Sequence, residues 1–168
     1  MMRLATSADV DHVLTLRRNR AAWLRERGLD QWSRRALGWA QYRQRVLASI
    51  ERRQTWLGID AAGAVLGTVA VTPPADDPSA VAGLWTASEI VSAVVVQRMM
   101  AADDARGAAL LHHVDRVAAA RAARWTLLDV WTGNITLQRL YERHGYEHVR
   151  TVPGRASGAL FRRAVSGA

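Results

Sequence analysis

The sequence predicts an α/β fold in which a twisted mixed β-sheet is flanked by helices. Apolar residues recur at helical spacing in four stretches, and short β-rich runs separate these stretches. A chain of 168 residues, 49% of them hydrophobic, can bury about 70% of its unfolded surface in one core. We therefore expect one domain over residues 1–168.

The first half predicts a strand, two helices and a hairpin. Thr6 or Ser7, with acids directly after it, suits a helix start, and Arg27 with Gly28 suits its end. The predicted elements are, in order, a strand at 2–5, a helix from 6 to about 26, a helix from about 37 to 53, and strands at 55–60 and 64–72. Three prolines then predict a loop from residue 73.

The second half begins with the apolar run VSAVVVQRMM, which suits a strand buried on both faces. An alanine-rich helix and a further strand–helix pair follow it, and β-rich runs end the chain. The predicted elements are a strand at 91–100, a helix at 107–124, a strand at 126–131, a helix at 134–144 and strands at 146–152 and 158–163.

The most informative stretch is Asp129–Val149, which predicts a strand end, a turn, a helix, a glycine stop and a new strand. Thr132 or Asn134 can cap the helix, and Gly145 suits a left-handed cap at its other end. Asn134 and Tyr141 are seven residues apart, nearly two helical turns. We therefore expect both side chains to point into one groove.

The order Asn134, Tyr141, Gly145 and Tyr146 resembles the acyl-CoA-binding helix of the GCN5-related N-acetyltransferase (GNAT) superfamily. The N-terminal part also looks like actinobacterial members of that superfamily. The segments that carry this second likeness are Trp23, RERGLDQW at 25–32, QTWLGID at 54–60 and GAVLGTVAV at 63–71. The resemblance implies the GNAT fold, with a V-shaped cofactor cleft between the strands at 94–100 and 126–131. It also implies an acetyl-CoA-dependent N-acetyltransferase that acts on a small amine by direct attack in a ternary complex.

The resemblance assigns the cofactor contacts as well. Pantetheine would pair with the backbone near the end of the 94–100 strand, where two methionines also suit core gaps. The diphosphate would lie at the N-terminus of the 107–124 helix, where N–H groups favour anions. Asn134 would contact pantetheine, or serve only as a cap. The implied cofactor residues are Met99, Met100, Ala101, Arg106, Gly107, Ala108, Ala109, Asn134 and Tyr141.

The phosphate-binding segment departs from the family pattern Gln/Arg-x-x-Gly-x-Gly/Ala. Read over 104–109, the chain has an acid in the first position, and an alignment two residues earlier places alanines in the Gln/Arg and Gly positions. Asp103 and Asp104 would repel a diphosphate by about 1 kcal/mol per contact at 4 Å in water, and Arg106 would offset this. Either acid can instead cap the helix. The alternative function is therefore a GNAT-fold ligand- or partner-binding protein with weakened or lost acyl-CoA binding.

Acyl transfer needs a deprotonated amine, a polarised thioester carbonyl and a proton for the departing thiolate. The resemblance implies that Tyr141 is the acid that protonates the CoA sulfur or donates a hydrogen bond to it. Glu89, just before the central strand, is the candidate general base. Asp129, Asp30 or a water chain are alternatives, and an ordinary surface role for Glu89 is also open. The chain has no cysteine and no evident nucleophile–base motif, so we expect no covalent intermediate.

The charge and composition of the chain limit the kinds of partner that it can bind. The net charge is +8, all 23 basic residues are arginine, and residues 1–53 hold twelve arginines against five acids. Such a surface can steer anionic CoA, or in a weaker hypothesis nucleic acid, although no nucleic-acid-binding module is recognisable. We expect no metal site, because cysteine is absent and the adjacent His112 and His113 point in different directions.

Four of the seven tryptophans, Trp23, Trp32, Trp39 and Trp85, belong to the region where GNAT proteins shape the acceptor pocket. At least one is a candidate acceptor contact, but Trp23 and Trp39 lie on apolar helix stripes and also suit the core. No apolar run reaches about 18 residues and no secretory leader is recognisable, so we expect a cytoplasmic protein without a membrane partner. Because GNAT proteins are often dimers, a homodimer is one candidate assembly.

Overall fold

The computed structural model describes residues 1–32 and 38–165. Its strands and helices are β1 (Met2–Leu4), α1 (Val10–Glu26), α2 (Trp39–Glu51), β2 (Thr55–Ile59), β3 (Val65–Thr72), α3 (Ala87–Ile90), β4 (Ala93–Ala101), α4 (Asp104–Ala120), β5 (Trp125–Val130), α5 (Ile135–Arg143), β6 (Glu147–Thr151) and β7 (Ala159–Ala164). The strands form one sheet in the order β1-β2-β3-β4-β5-β7-β6. β4 and β5 pair in parallel, whereas β5 and β6 each pair antiparallel with β7. The predicted α/β class with a mixed sheet is confirmed.

The described chain forms two compact units. The first comprises Met1–Ala70 and Arg98–Leu110, and the second comprises Val71–Gln97 and Leu111–Ala168. The boundaries fall inside β3, β4 and α4, so each unit contains part of the sheet and a core of its own.

In the first unit, helices cover both faces of the strands. Leu57 and Ile59 of β2 pack in a cluster with apolar residues of α1 and α2. Gly58 between them faces the other way, where a Cβ would lie 3.8 Å from a methyl carbon of Leu110 on α4. Because side chains alternate along β2, this strand packs against α1 and α2 on one face of the sheet and against α4 on the other.

Gly67 on β3 lies at the closest backbone approach of this unit. A Cβ at Gly67 would lie 2.8 Å from the carbonyl oxygen of Met100 and 3.0 Å from Leu110 Cδ1. The neighbouring Leu66 carbonyl accepts a hydrogen bond from Ala102 N at 3.0 Å. Only glycine lets β3, the end of β4 and α4 meet at these distances.

The second unit has its own apolar cluster and an arginine that joins several of its elements. The buried residues of the cluster are Val81, Trp85, Ala93, Val95, Leu127 and Leu160. Arg163 on β7 donates to the carbonyl of His144 at 2.7 Å and forms an ion pair with Asp115 of α4. Its guanidinium carbon also lies 4.5 Å from the ring centre of Tyr146. Arg163 thus ties β7 to α4 and to the end of α5.

Two predicted helix boundaries are wrong. The helix predicted at 107–124 spans Asp104–Ala120. At its end, Ala122 has a φ of +52° and Ala123 N donates to the carbonyl of Ala118, so the chain turns without the glycine that usually marks such a stop. The helix predicted from about Leu37 to Arg53 ends at Glu51. Its predicted start at Leu37 lies outside the described residues, and α2 is described from Trp39.

The predicted short N-terminal strand and the helix start after it are confirmed. Arg3 donates to both carboxylate oxygens of Asp9 at 2.7 and 2.8 Å, and Thr6 N donates to the same carboxylate at 2.8 Å. The hydrogen bonds from Arg3 hold the pKa of Asp9 far below its ordinary value, against the opposing effect of burial. No helix in the described ranges is long and apolar enough to cross a membrane.

Candidate active site

The turn between β5 and α5 carries Asn134, one of the predicted cofactor residues. Asn134 is 5% exposed, and its side-chain oxygen accepts a hydrogen bond from Leu137 N at 3.0 Å. It is therefore the cap of α5, which the sequence left open between Thr132 and Asn134. The amide of Gln138 donates to the carbonyls of Trp131 and Thr132 at 3.2 and 2.9 Å, so α5 holds the turn that precedes it.

Tyr141 is buried in α5 and packs against a second tyrosine. Its ring lies 5.6 Å from that of Tyr146 in an edge-to-face arrangement. Burial raises the pKa of the Tyr141 hydroxyl well above its ordinary value, and the neighbouring Tyr146 and Asp129 add to the rise. Gly145, with a φ of +79°, ends the helix as predicted. Tyr141 is thus a hydrogen-bond donor that keeps its proton at neutral and alkaline pH.

Asp129 lies near the carboxyl end of β5 in the same unit. Burial raises the pKa of its carboxyl group, and a hydrogen bond from Ser157 partly opposes the rise. The Ser157 hydroxyl also lies 3.3 Å from the Asp129 carbonyl oxygen. Next to it, Thr132 N donates to the carbonyl of Ala156 at 2.8 Å. The chain after β5 and the loop before β7 therefore form one hydrogen-bonded structure around Asp129.

The parallel ladder between β4 and β5 ends inside both strands. Its pairs are Ala93 with Trp125, Val94 with Thr126 and Val95 with Leu127, in the part of the chain that the structure describes. β5 nevertheless continues to Val130 and β4 to Ala101.

The last residues of β4 differ in their surroundings. Met100 is 4% exposed and packs in the apolar cluster of the first unit, so its predicted role as a core filler is confirmed. Met99 and Ala101 point towards α4, where a Cβ at Gly107 would lie 3.9 Å from a side-chain carbon of each. Those are ordinary contacts, so nothing in the protein itself requires a glycine at 107. Arg98 has a φ of +50°, a conformation that interrupts regular strand geometry.

The start of α4 differs from the predicted phosphate-binding loop. Asp103 Oδ1 accepts a hydrogen bond from Arg106 N at 2.9 Å, and the Arg106 guanidinium forms an ion pair with the same carboxylate. Gly107 N donates to the carbonyl of Asp103 at 2.9 Å. Asp103 is therefore the helix cap, one of the two roles the sequence left open. Gly107, Ala108 and Ala109 lie inside the helix and not in a loop before it.

Comparison with known proteins identifies the fold. No family model and no curated protein matches the chain. An acetyltransferase of the GNAT family from Listeria monocytogenes is similar over 98% of this chain and 94% of its own, with 21% identity and a TM-score of 0.79. A second from Streptococcus agalactiae matches over the same shares, with 19% identity and a TM-score of 0.70. A ribosomal-protein-alanine N-acetyltransferase from Brucella melitensis matches over 98% and 99%, with 19% identity and a TM-score of 0.65.

The chain has the GNAT fold. The expectation drawn from the Asn134–Tyr146 stretch is thereby confirmed at the level of the fold. The narrower resemblance to actinobacterial members stays a prediction.

Within the GNAT fold of this chain, Glu89 occupies a structural position. Arg150 donates to its two carboxylate oxygens at 2.5 and 2.8 Å, and Thr86 N and Oγ1 donate to one of them at 2.8 and 2.9 Å. The hydrogen bonds from Arg150 lower the pKa of Glu89 to about 2. A carboxylate held this way is a weak proton acceptor. This geometry favours a role for Glu89 in joining α3 to β6 over the predicted role of general base.

The tryptophans of this GNAT-fold chain divide into core and surface. Trp85 is 8% exposed and belongs to the core of the second unit. Trp23 and Trp39 are 37% and 49% exposed, so the expectation that they fill the core is wrong. Arginine side chains cover them instead, with guanidinium carbons 4.0 and 3.8 Å from the Trp23 ring (Arg20 and Arg27) and 4.8 Å from the Trp39 ring (Arg18). Helical periodicity alone does not separate an apolar stripe on the core from one under arginines.

Two features of possible functional value were not predicted. Ser157 contacts Asp129 from a loop 28 residues away in sequence, and no local pattern indicates that contact. The cluster around Trp23 does have a sequence signal, because Arg-x-x-Trp-x-x-x-Arg at 20–27 places both arginines on the tryptophan's face of a helix. In the described ranges, no group of three or more His, Asp or Glu residues could hold a metal ion.

Proposed function

We propose that this protein is an acetyl-CoA-dependent N-acetyltransferase that acetylates a small amine by direct attack in a ternary complex. The main support for this proposal is the buried hydroxyl of Tyr141 on a helix capped by Asn134, in a chain with the GNAT fold. The similar solved structures support transfer of an acetyl group in general, because their names call them acetyltransferases.

Tyr141 would donate a hydrogen bond to the sulfur as the carbon–sulfur bond breaks. A CoA thiol has an ordinary pKa near that of cysteine, about 8.5, whereas burial keeps the Tyr141 pKa well above that of a free phenol. Complete proton transfer from Tyr141 to the thiolate is therefore uphill. Hydrogen-bond stabilisation of the developing negative charge is the role that fits the burial.

Asp129 would accept a proton from the acceptor ammonium and so expose the lone pair that attacks the thioester carbonyl. Its raised pKa makes it a stronger base than an ordinary carboxylate, and its place near the end of β5 puts it in the same unit as Tyr141. Among the bases that the sequence left open, Asp129 is favoured over Glu89, whose charge is already neutralised by Arg150.

The remaining cofactor contacts are proposed for the first unit. Backbone groups of Met99, Met100 and Ala101 would meet pantetheine, whose extended chain can add to a strand. The sequence predicted that the diphosphate lies at the N-terminus of this helix and named Arg106, Gly107, Ala108 and Ala109 as cofactor residues. Because α4 begins at Asp104, we assign this contact to the amides before Arg106 and to the Arg106 side chain.

Thiol release from acetyl-CoA with a panel of amines tests the function. Tyr141→Phe should lower kcat at least tenfold and leave the Kd of acetyl-CoA within about twofold, because the lost donor acts on the departing sulfur. Tyr42→Phe is the matched control, since Tyr42 is also buried but lies in the core of the first unit. An unchanged kcat in Tyr141→Phe would remove Tyr141 from the mechanism.

The pH profile of kcat/KM tests Asp129. In the wild type, the rate should fall as pH falls through the Asp129 pKa, because the protonated carboxyl no longer accepts the ammonium proton. Asp129→Asn should lower kcat/KM and lose this acidic limb, whereas Asp129→Glu should keep part of it. Ser157→Ala should move the limb to higher pH, since the Ser157 hydrogen bond lowers the Asp129 pKa. A wild-type limb retained in Asp129→Asn would exclude this base.

The second candidate function is a GNAT-fold binding protein that does not use acyl-CoA. The two acids at the start of α4 favour it, because Asp103 and Asp104 stand where a diphosphate is expected. Calorimetric titration separates the candidates. The absence of heat with acetyl-CoA and with CoA at high micromolar concentration would favour the binding protein.

A further inference from the structure

Arg155 lies in the loop between β6 and β7, and contacts within the second unit hold its backbone in place. Its N–H donates to the carbonyl of Val152 at 3.4 Å, and its own carbonyl accepts a hydrogen bond from Thr132 Oγ1 at 3.1 Å. Gly158 is buried under the same loop, and a Cβ there would lie 2.9 Å from the Arg155 carbonyl oxygen. The position of Arg155 is therefore set by the loop around it.

The loop that carries Arg155 also contacts Asp129, the proposed base. Thr132 N donates to the carbonyl of Ala156 at 2.8 Å, and the Ser157 hydroxyl donates to the carbonyl of Asp129 at 3.3 Å. A hydrogen bond from Ser157 also lowers the pKa of the Asp129 carboxyl group. Arg155 is thus two residues from a side chain that contacts the base, and these bonds fix the loop relative to that base.

The side chain of Arg155 rests on the loop that precedes α3. A Cβ at Gly83 would lie 2.6 Å from Arg155 Nη2 and 3.8 Å from its Cζ, so one end of the guanidinium lies against the Gly83 backbone. An arginine side chain has many rotamers in water, and this contact reduces their number before any ligand binds. The guanidinium is therefore partly preorganised.

The charge of Arg155 forms no ion pair among the residues that the structure describes. Two acids lie near its contact loop in sequence, and both have other partners. Asp77 accepts a hydrogen bond from Ser79 at 2.5 Å. Glu89 forms its ion pair with Arg150. Since Arg155 is exposed, an anion from solution can reach its guanidinium.

Arg155 and Asp129 together match a molecule with two opposite charges. A guanidinium binds a carboxylate through two parallel hydrogen bonds. Asp129 accepts the ammonium proton in the proposed reaction, and Arg155 does not neutralise it, because the pKa of Asp129 is set by burial and by hydrogen bonds. Solvation alone explains an unpaired arginine on a surface. It does not explain why two loops hold this one, in the loop that contacts the base.

We propose that Arg155 binds the carboxylate of an amino acid whose amine is the acceptor of the acetyl group. This inference rests on the proposed function and names the acceptor class for the same site. Arg155 determines specificity by holding the acceptor through its carboxylate, while Asp129 takes the proton from the amine. Loss of Arg155 should therefore change KM for the acceptor more than kcat.

Thiol release from acetyl-CoA with free amino acids and with the corresponding amino acid amides tests the acceptor class. Each amide keeps the amine and the side chain but lacks the carboxylate charge. The panel includes α-, β- and γ-amino acids, so that the spacing between amine and carboxylate varies. The wild type should use the best amino acid at least about tenfold better than its amide in kcat/KM, the difference expected for a charge-assisted hydrogen bond.

Replacing Arg155 tests its role in this preference. Arg155→Gln should raise KM for the best amino acid at least about tenfold and leave KM for its amide within about twofold. Arg155→Lys should recover part of the loss, because an ammonium keeps the charge but not the paired N–H groups. Calorimetric titration of the amino acid into CoA-saturated protein should show the same rise in Kd without turnover. Arg116→Gln is the matched control, since Arg116 on α4 is also exposed in the second unit.

Gly83→Ala displaces the guanidinium without removing its charge, because the new Cβ would lie 2.6 Å from Arg155 Nη2. KM for the amino acid should rise several-fold, and KM for the amide should not. Gly63→Ala is the control for backbone strain, since Gly63 also has a positive φ (+85°, against +70° at Gly83) and a Cβ there would meet no atom within 4 Å. Similar thermal unfolding midpoints of the two variants would show that strain affects both alike. A wild-type KM for the amino acid in Gly83→Ala would contradict the positioning by Gly83.

Three outcomes would overturn the inference. The first is a wild type that uses amides as well as it uses amino acids. The second is an equal rise in KM for the amino acid and its amide in Arg155→Gln. The third is a rise in the Kd of acetyl-CoA in Arg155→Gln with no change for the amino acid, which would assign the arginine to a phosphate of the cosubstrate. All three leave the proposed function standing, whereas a wild type that neither binds acetyl-CoA nor releases thiol with any amine would refute both.

Discussion

Replacing Asp103 by Asn tests whether the acids at the start of α4 weaken cofactor binding. Asp103 caps α4 through the hydrogen bond from Arg106 N and also forms an ion pair with the Arg106 side chain. Asparagine caps a helix about as well as aspartate does. The substitution therefore keeps the helix start, removes one negative charge and releases the Arg106 guanidinium.

The expected gain in affinity is about fivefold. The Asp103 and Arg106 side chains are 44% and 45% exposed, so the dielectric constant around them is close to that of water. One charge removed about 4 Å from a phosphate then contributes about 1 kcal/mol, or roughly a factor of five in Kd. Loss of the helix-dipole contact and of the ion pair should lower the free energy of unfolding by about 0.5–1.5 kcal/mol. For a chain of this size that corresponds to about 1–6 °C in Tm.

Calorimetric titration with CoA at 0.15 M and 1 M salt measures the effect. The gain in Asp103→Asn should shrink to less than twofold at 1 M salt, because the Debye length there is about 3 Å. Glu147→Gln on β6 is the control, since Glu147 is 70% exposed and the change in net charge is the same. Weaker binding in Asp103→Asn, or the same gain in Glu147→Gln, would refute the argument that local repulsion limits affinity.

Two further predictions concern stability. Gly67→Ala should lower the free energy of unfolding by about 1–3 kcal/mol in denaturant titration, because its Cβ would lie 2.8 Å from the Met100 carbonyl oxygen. The control, Gly107→Ala, should leave the free energy of unfolding unchanged or raise it, because its Cβ would make no contact closer than 3.9 Å. Equal effects of the two substitutions would refute this packing account. The pKa of Glu89 is lowered from 4.5 to about 2, so its ion pair with Arg150 stabilises the fold above about pH 4.5 and is lost as pH falls towards 2. In acid unfolding, Glu89→Gln should therefore lose less stability than the wild type over this window, and parallel curves would show that the pair contributes nothing.

The sequence predicted the order of the long helices and strands because their signals are local. Apolar periodicity, the acids after Thr6 and the glycine at 145 each depend on a few neighbouring residues, and each is confirmed. The predicted start of α4 was wrong, and the reason is also local. Gly107 suggested the end of a loop, but Asp103 caps a helix that begins at Asp104, three residues before the predicted start.

The candidate site was less predictable, because its determinants come from distant parts of the chain. Asn134 and Tyr141 are close in sequence, so a local pattern is enough to propose them as site residues. The contacts that decide the roles of Glu89 and Asp129 involve Arg150 and Ser157, which are 61 and 28 residues away. No pattern in a single sequence indicates which of two acids pairs with an arginine and which lies beside a serine.

The central claim is that this GNAT-fold chain binds and uses acetyl-CoA. Calorimetric titration of the wild type with acetyl-CoA tests it most directly. We expect saturable binding of one acetyl-CoA per chain with a micromolar Kd, and weaker binding of S-acetyl-pantetheine. No heat of binding at high micromolar acetyl-CoA would contradict the claim.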